Sequence, residues 1–277
     1  AVIYLREVHK RSGTHAGAGY PLASGVLRGL ERLALTSSVT ILCGENGSGK
    51  TTLMALLAAG TGAQAIGESG VHADKTRLFG QAARHFRFVM AQRPKRSFYF
   101  TAEDFSRYLD QRRAMMTEAR QALDEIDEGY QGRSALARSL AQMPHARTLG
   151  EMTDQYEREL LTSSHGEGFL SFFGGRLVQG GLYLLDEPEG ALSYANQLSL
   201  MALIGRAVAG NGQVIMATHS PVLAAYPNAA LLDVSAGGIE EVRYEQLPGV
   251  QFLSHFMRHR EAILNDIGLP NPTITHN

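Results

Sequence analysis

The chain has 277 residues, with 26 Lys and Arg against 27 Asp and Glu, and a formal net charge of −1. That length suits one large domain or a core with an inserted subdomain, and an apolar content of 44% is enough for a packed core. The single cysteine excludes an internal disulfide. No run of about 20 apolar residues is present, so no transmembrane helix is predicted. The near-neutral charge argues only weakly against nucleic acid, because a local basic face is compatible with it.

The first residues, Ala1–Glu7, lack the basic start and the apolar block of a signal peptide. Together with the lone cysteine, this absence leads us to expect a cytoplasmic protein. Two segments in the first part of the chain, Val2–Val8 and Val39–Cys43, have the composition of strands.

A glycine-rich segment lies between the apolar run Val39–Cys43 and the helix-like Thr52–Ala58, and it matches G-x-x-x-x-G-K-[ST]. Glycines in such a loop let backbone N–H groups face phosphate oxygens, and the helix N-terminus adds partial positive charge. The pattern predicts a phosphate-binding loop for a nucleotide; the alternative is a glycine-rich turn without a ligand. The predicted phosphate-binding residues are Gly44, Glu45, Asn46, Gly47, Ser48, Gly49, Lys50, Thr51 and Thr52.

Two residues of this loop have individual chemical roles in the prediction. The Lys50 ammonium is expected to reach the β- and γ-phosphates of ATP, and the Thr51 hydroxyl is expected to hold Mg²⁺. The predicted ligands are therefore ATP and Mg²⁺.

A second informative segment, Gly180–Pro188, has four apolar residues followed by Asp186 and Glu187. Such a run is typical of a buried parallel strand, and ligands bind at the carboxyl ends of strands in open α/β sheets. We expect Asp186 to hold Mg²⁺, directly or through water, and Glu187 to orient and deprotonate the attacking water. The alternative is a strand that ends in an acidic turn without a ligand.

A third predicted strand covers Gly212–Thr218 and is followed by His219. An imidazole at the end of this strand is placed to hydrogen-bond the γ-phosphate or the attacking water. The alternative is a structural histidine at a strand end.

In chain order, the phosphate loop, Gln92, Ser164–Glu167, Asp186–Pro188 and His219 resemble the motifs of ATP-binding-cassette (ABC) ATPases. The phrases Ser-His-Gly-Glu and Leu-Leu-Asp-Glu-Pro-Glu-Gly-Ala-Leu-Ser are more narrowly similar to small, stand-alone bacterial cassette ATPases. That group is called AAA-family ATPases and has affinity to the SMC-like and DNA-repair branch.

The resemblance implies an α/β P-loop NTPase fold of the ABC-ATPase type in one domain over residues 1–277. A helical subdomain inserted at 94–166 would carry the signature motif. The same resemblance implies that Gln92 contacts the nucleotide and Mg²⁺, and that Glu187, His219 and Lys50 are catalytic. Two chains would sandwich two ATP molecules, with Ser164 and Gly166 of one chain facing the nucleotide of the other.

The sequence departs from the family pattern at two positions. His165 stands where the signature motif has a glycine, and Ser193 stands where an aspartate normally follows the acidic strand. Communication between the two nucleotide sites through the loop that contains Ser193 is therefore in question.

Other segments lead to structural expectations. Residues Pro94–Ser163 have helical spacing, seen in Ala102–Leu123 and Gln155–Leu161, and no strand pattern. Residues 231–244 are typical of a hairpin and residues 250–267 of an amphipathic helix. Tyr20 is a candidate for stacking on adenine or for packing against the core. Three basic residues beside Gln92 form a solvated loop or a contact with phosphate or a partner: Arg93, Lys95 and Arg96.

The sequence therefore predicts a Mg²⁺-dependent ATPase that dimerises with ATP and acts with an unidentified protein partner. Three uses of the ATP cycle compete. The first is a soluble switch or mechanoenzyme, with action on DNA or in defence as an open possibility. The second is the ATPase subunit of a membrane transporter, and the third is an ATP-gated binding module with little turnover.

Overall fold

The computed structural model describes residues 2–13, 19–65, 72–151, 165–235 and 238–269. Its strands fall into two sheets. The described strands are β1 (Leu5–Lys10), β2 (Arg32–Ala34), β3 (Val39–Cys43), β4 (Gln64–Ala65), β5 (Phe86–Met90), β6 (Arg96–Thr101), β7 (Gly181–Asp186), β8 (Gln213–Ala217), β9 (Ala230–Ser235) and β10 (Gly238–Glu241).

The helices surround these sheets. They are α1 (Gly25–Arg28), α2 (Lys50–Thr61), α3 (His72–Ala83), α4 (Ala102–Gly129), α5 (Ala135–Glu151), α6 (His165–Arg176), α7 (Tyr194–Ala209), α8 (Pro221–Ala224) and α9 (Pro248–Asp266), with 3₁₀ turns at Pro188–Ala191 and Tyr244–Gln246.

The main sheet has the strand order β10-β9-β3-β8-β7-β6-β4. All neighbouring strands from β9 to β4 pair in parallel, and β10 pairs antiparallel with β9. Every residue of β3, β7 and β8 is buried, as expected for central parallel strands covered on both faces. The carboxyl ends of β3, β7 and β8 consequently lie side by side at one edge of the sheet.

The two faces of the sheet belong to two separate cores. Along β7, Tyr183 and Leu185 join one apolar cluster, whereas Leu182 and Leu184 join the other. This period of two follows from the pleat of a strand. Helix α2 packs on the face of Leu182, and the phenylalanine-rich α6 packs on the face of Tyr183.

A smaller antiparallel sheet, ordered β2-β1-β5, shares an apolar cluster with the main sheet and is also bonded to it by a buried side chain. Gln213 of β8 accepts hydrogen bonds from the Tyr4 and Leu5 amides at 2.8 and 2.9 Å and donates to the Leu5 carbonyl at 2.9 Å. Because both polar atoms of this buried amide are hydrogen-bonded, these bonds offset the cost of its desolvation and hold the end of β1 against β8.

The structure changes the start of the predicted helical segment. Arg96–Thr101 is strand β6 of the main sheet, paired in parallel with β7, so the helical part begins at Ala102 rather than at 94. The basic residues Lys95 and Arg96 precede the aromatic segment of β6, Phe98-Tyr99-Phe100, and made the strand pattern hard to recognise. All three aromatic side chains are buried. Helices α4 and α5 pack on each other. The predicted helix Gln155–Leu161 lies outside the described residues.

Two predictions about the last part of the chain are confirmed. Strands β9 and β10 form an antiparallel hairpin, and α9 covers the predicted C-terminal helix. No residue of α9 is buried. Among the described residues, no helix combines the length and hydropathy that crossing a bilayer requires.

Candidate functional site

The glycine-rich loop joins the buried strand β3 to helix α2, which begins at Lys50. Two of its glycines are required by close packing. A Cβ on Gly44 would lie 2.3 Å from the Val234 carbonyl oxygen, and one on Gly49 would lie 2.5 Å from Val26 Cγ1. Both glycines also have positive φ angles, 139° and 101°. The loop is therefore fixed between β9 and α1 in a shape that other residues cannot adopt.

Lys50 is the first residue of α2 and is only 3% exposed. Its ammonium donates to the carbonyl oxygens of Gly44 and Glu45, both at 2.9 Å. These bonds hold the cation inside the curve of the loop. The first amides of α2 have no acceptors within a helix, so the loop combines a fixed positive charge with a helix N-terminus.

Asp186 ends β7 and lies close to the start of α2. The Thr51 hydroxyl donates to Asp186 Oδ1 at 3.4 Å, and the Tyr99 hydroxyl donates to Oδ2 at 3.0 Å. Burial raises the pKa of Asp186 to about 6, while the hydrogen bonds from Tyr99 and Thr51 act in the opposite direction. Sequence reasoning missed Tyr99, because the pair depends on β6 lying beside β7.

Glu187 follows Asp186 and adopts φ 48° and ψ 51°, in the left-handed region. A non-glycine residue there costs on the order of 1–3 kcal/mol and is concentrated at functional sites. Two backbone hydrogen bonds maintain it: Glu187 N donates to Ala217 O at 2.9 Å, and Gly190 N donates to Glu187 O at 3.1 Å. The side chain remains 40% exposed, so its carboxylate is accessible to water.

His219 follows β8, and its side chain is 51% exposed. Its Nδ1 lies 3.2 Å from Glu189 Oε1 and 4.0 Å from Glu187 Oε1. The nearer acid, Glu189, was not predicted from the sequence. The only signal was a second acid two residues after Glu187, and nothing local indicates that its side chain turns inward.

Two cavities flank the loop. The larger, about 710 Å³, is lined by loop residues Gly44–Ser48, His219, the end of β9 and the first turn of α9. The smaller, about 330 Å³, is lined by Thr51, Thr52, Asp186 and Glu187 together with aromatic and alanine side chains. The fold thus brings the predicted loop, both acids and the histidine together at one edge of the sheet.

Other predicted site residues lie elsewhere or outside the described residues. Gln92 is exposed after β5 and lines neither cavity; Ser164 lies outside the described residues, and Gly166 is described only as backbone near the start of α6. Tyr20 lines the smaller cavity, is 61% exposed, and contacts Phe79 edge-on with ring centroids 6.1 Å apart.

Ser193 and the basic cluster have positions that the sequence left open. Ser193 is the N-cap of α7, where its hydroxyl accepts from the Asn196 amide at 3.3 Å. This is a structural role that aspartate also performs at N-caps. Arg93 and Lys95 are exposed in the loop between β5 and β6, as predicted, whereas the exposed Arg96 is the first residue of strand β6 and not part of that loop.

No family model matches the chain, and no curated protein matches it. Solved structures similar to it include the ADP conformation of an ATP-binding cassette of an ABC transporter, at 15% identity, TM-score 0.44 and coverage of 97% of this chain and 100% of that chain. Another is the Smc head domain bound to the C-terminal domain of ScpA from Pyrococcus furiosus, at 12% identity, TM-score 0.44 and coverage of 92% and 99%. A third is cbiO1 from Clostridium perfringens, part of the ABC transporter complex cbiONQ, at 14% identity, TM-score 0.37 and coverage of 96% and 97%.

These structures are of ABC-transporter ATPases and of an Smc head domain, the kinds of protein named above for the resemblance of the sequence motifs. At such identities and TM-scores they carry no conclusion about activity or partner. What the structure itself shows is an α/β fold with a central parallel sheet and a glycine-rich loop between a buried strand and a helix N-terminus.

Proposed function

We propose that this chain binds ATP with Mg²⁺ and hydrolyses the bond between its β- and γ-phosphates, giving ADP and phosphate. One observation carries the proposal: the buried Lys50 ammonium, held inside the loop by two of its carbonyls, lies beside the hydroxyl–carboxylate pair of Thr51 and Asp186. A fixed cation next to two oxygen donors suits a polyphosphate bound together with a hard divalent metal.

The loop residues fit such a ligand. Ser48 Oγ is buried and has no hydrogen-bond partner among the described residues, as expected of a hydroxyl that faces a phosphate oxygen in the complex. Thr51 and Asp186 are the residues that would hold Mg²⁺, which prefers hydroxyl and carboxylate oxygens. When bound, Mg²⁺ would neutralise charge on the phosphate oxygens.

Three residues of the chain would act on the reacting groups. The Lys50 ammonium would bind the β- and γ-phosphates and stabilise the charge that develops there. Glu187 would accept a proton from the attacking water, for which its partly exposed carboxylate is suited. His219 would bind the γ-phosphate or the water through its ring.

The reacting face of a single chain is open, because the side chains of Glu187 and His219 are 40% and 51% exposed. Efficient phosphoryl transfer calls for exclusion of bulk water. We therefore propose that two ATP-bound chains pair across this face, with Ser164 and Gly166 of one facing the nucleotide of the other. Such a dimer would alternate between closed and open forms and transmit the change to a protein partner.

The test is Glu187→Gln, which keeps the shape of the side chain and removes the base. The variant should bind ATP with wild-type affinity in calorimetry and hydrolyse it about 10²- to 10⁴-fold more slowly. It should also accumulate as a dimer with Mg-ATP in size-exclusion chromatography with light scattering. Glu240→Gln, which changes an exposed acid on β10, is the matched control and should behave as the wild type.

Each part of the proposal can fail separately. Wild-type hydrolysis by Glu187→Gln would refute the role of the base. A catalytically dead variant that stays monomeric with saturating ATP would reject the dimer and leave the chemistry standing. Lys50→Ala tests the loop itself, since unchanged ATP affinity in this folded variant would reject the phosphate-binding assignment.

A further inference from the structure

Glu189 is a buried acid in the 3₁₀ turn after β7, with a side chain only 5% exposed. Two hydrogen-bond donors and one ring nitrogen surround its Oε1 atom. The Thr218 hydroxyl donates at 2.7 Å and the His219 amide at 2.8 Å, and the His219 ring nitrogen Nδ1 lies at 3.2 Å. The carboxylate therefore contacts both the backbone and the ring of the histidine at the reacting face.

Burying a carboxylate is costly unless hydrogen bonds to its oxygens offset the loss of water. The bonds to Oε1 are of the charge-assisted kind, which are stronger than neutral ones. Oε2 has no partner among the described residues, so the offset is incomplete. A position that needed only packing would be filled at lower cost by an uncharged side chain.

The contact with Glu189 favours one of the two tautomers of His219. A carboxylate 3.2 Å from Nδ1 repels the lone pair of an unprotonated nitrogen, so it favours the proton on Nδ1. Glu187 does not compete, because its Oε1 is 4.0 Å from Nδ1, beyond hydrogen-bonding distance. Nε2 then carries a lone pair, which can accept a hydrogen bond from the attacking water but not from the γ-phosphate, whose oxygens are themselves acceptors.

A buried hydrogen-bond network holds this pair against helix α7. The Ser220 amide donates to Thr218 Oγ1 at 2.9 Å, and the Ser220 hydroxyl donates to Gln197 Oε1 at 2.6 Å. Gln197 in turn donates to the Leu192 carbonyl at 3.3 Å. The segment that follows β7 and the segment that follows β8 are thereby fixed to each other through a rigid helix.

We infer that Glu189 is a positioning residue for His219: it holds the proton on Nδ1 and so presents the lone pair of Nε2 to the attacking water. This inference rests on the proposed ATPase function. Glu189 touches neither substrate nor metal in it, and no net proton transfer to Glu189 takes place.

The kinetic test combines Glu189→Gln, His219→Ala and the double variant, with Glu240→Gln as the matched control. Glutamine keeps an acceptor for the Thr218 hydroxyl and the His219 amide, so the loop should remain folded. We expect kcat to fall roughly 10- to 100-fold, the size typical of groups that orient a functional histidine. ATP affinity should stay within about twofold, because the altered contact of His219 is with the attacking water and not with the nucleotide.

The double variant distinguishes positioning from a general structural role. If Glu189 acts through the histidine, Glu189→Gln should cause no further loss in the His219→Ala background. Additive losses would overturn the inference. The same loss of kcat accompanied by a large loss of ATP affinity in Glu189→Gln alone would also overturn it.

The second test needs no activity. Long-range ¹H–¹⁵N correlation spectra of ¹⁵N-histidine protein, without nucleotide and in the pH range where the ring is neutral, report the tautomer of His219. The His219→Ala spectrum assigns the signal. We expect the proton on Nδ1 in the wild type and a shift of population toward Nε2–H in Glu189→Gln.

A wild-type ring that carries its proton on Nε2 would overturn the inference, even if the protein hydrolyses ATP. Conversely, a wild-type protein with no ATPase activity would refute the proposed function, while the spectra would still decide whether Glu189 controls the proton on Nδ1.

Discussion

The buried carboxylate of Asp186 should make the ligand-free protein less stable at neutral pH than an amide at the same position would. Burial raises the pKa of this group from its ordinary value of 3.8 to about 6. At about 1.4 kcal/mol per pKa unit, that rise lowers the free energy of unfolding by about 3 kcal/mol at neutral pH. The substitution Asp186→Asn removes the charge and keeps the shape.

The sign follows from which state ionises first. The unfolded chain loses its proton near pH 4 and the folded protein only near pH 6, so ionisation favours the unfolded state. The stability that this group provides is complete below about pH 4 and is lost as the pH rises through about 6. At pH 4.5 about 1 kcal/mol of the penalty is already present, and the full penalty applies above about pH 7.

The hydrogen bonds of the site can survive the substitution. An asparagine oxygen can accept from Tyr99, and its amide can donate to the Thr51 hydroxyl, which replaces the present bonds at 3.0 and 3.4 Å. Asp186→Asn should therefore stabilise the ligand-free protein by about 3 kcal/mol at pH 7.5 and by about 1 kcal/mol at pH 4.5. For a domain of this size, the neutral-pH gain corresponds to about 6–12 °C in Tm.

Urea denaturation followed by circular dichroism measures both values, with chelator present and nucleotide absent. Asp110→Asn, which changes an exposed acid on α4, is the control and should show no gain at either pH. An Asp186→Asn variant that gains the same stability at both pH values, or that is less stable than the wild type at pH 7.5, would refute the reasoning.

Two further predictions concern buried groups beside the site. Burial, with Asp233 nearby, raises the pKa of the Cys43 thiol to about 12. Ellman's reagent should therefore detect no thiol in the folded protein and one thiol after unfolding. A prompt reaction of the folded protein would contradict this prediction. Tyr99→Phe removes the hydroxyl that holds Asp186 Oδ2, so half-maximal activity should require roughly 10- to 100-fold more Mg²⁺, with metal-free ATP binding unchanged. An unaltered Mg²⁺ titration curve would show that Asp186 is held without Tyr99.

Local patterns were enough to predict the parts of the site that lie on one strand and its following turn. The glycine-rich loop before α2, the acids at the end of β7 and His219 after β8 were all predicted from short segments. Each signal is local, because buried parallel strands appear as continuous apolar runs and the ligand edge is at their carboxyl ends. The C-terminal hairpin and α9 were also predicted from local patterns, because the spacing of apolar residues and the turn residues between the strands both involve positions close together in the sequence.

Strand β6 shows where local patterns fail. It begins with a charged residue, Arg96, and directly precedes a long helix, so its sequence was assigned to the helical segment that follows. Only its pairing with β7 identifies Arg96–Thr101 as a strand of the main sheet. Propensity is a weak guide here, because tertiary context decides whether a short aromatic segment becomes a strand.

By itself, the sequence determined the glycine-rich loop between a buried strand and a helix, the acids and the histidine at strand ends, and the order in which they follow one another. Only the tertiary structure decided what contacts them. Tyr99 meets Asp186 across 87 positions, and Glu189 meets the amide of His219 across 30. Such pairs leave no periodic signal, because they arise from strand order and from how a turn packs against a neighbouring loop.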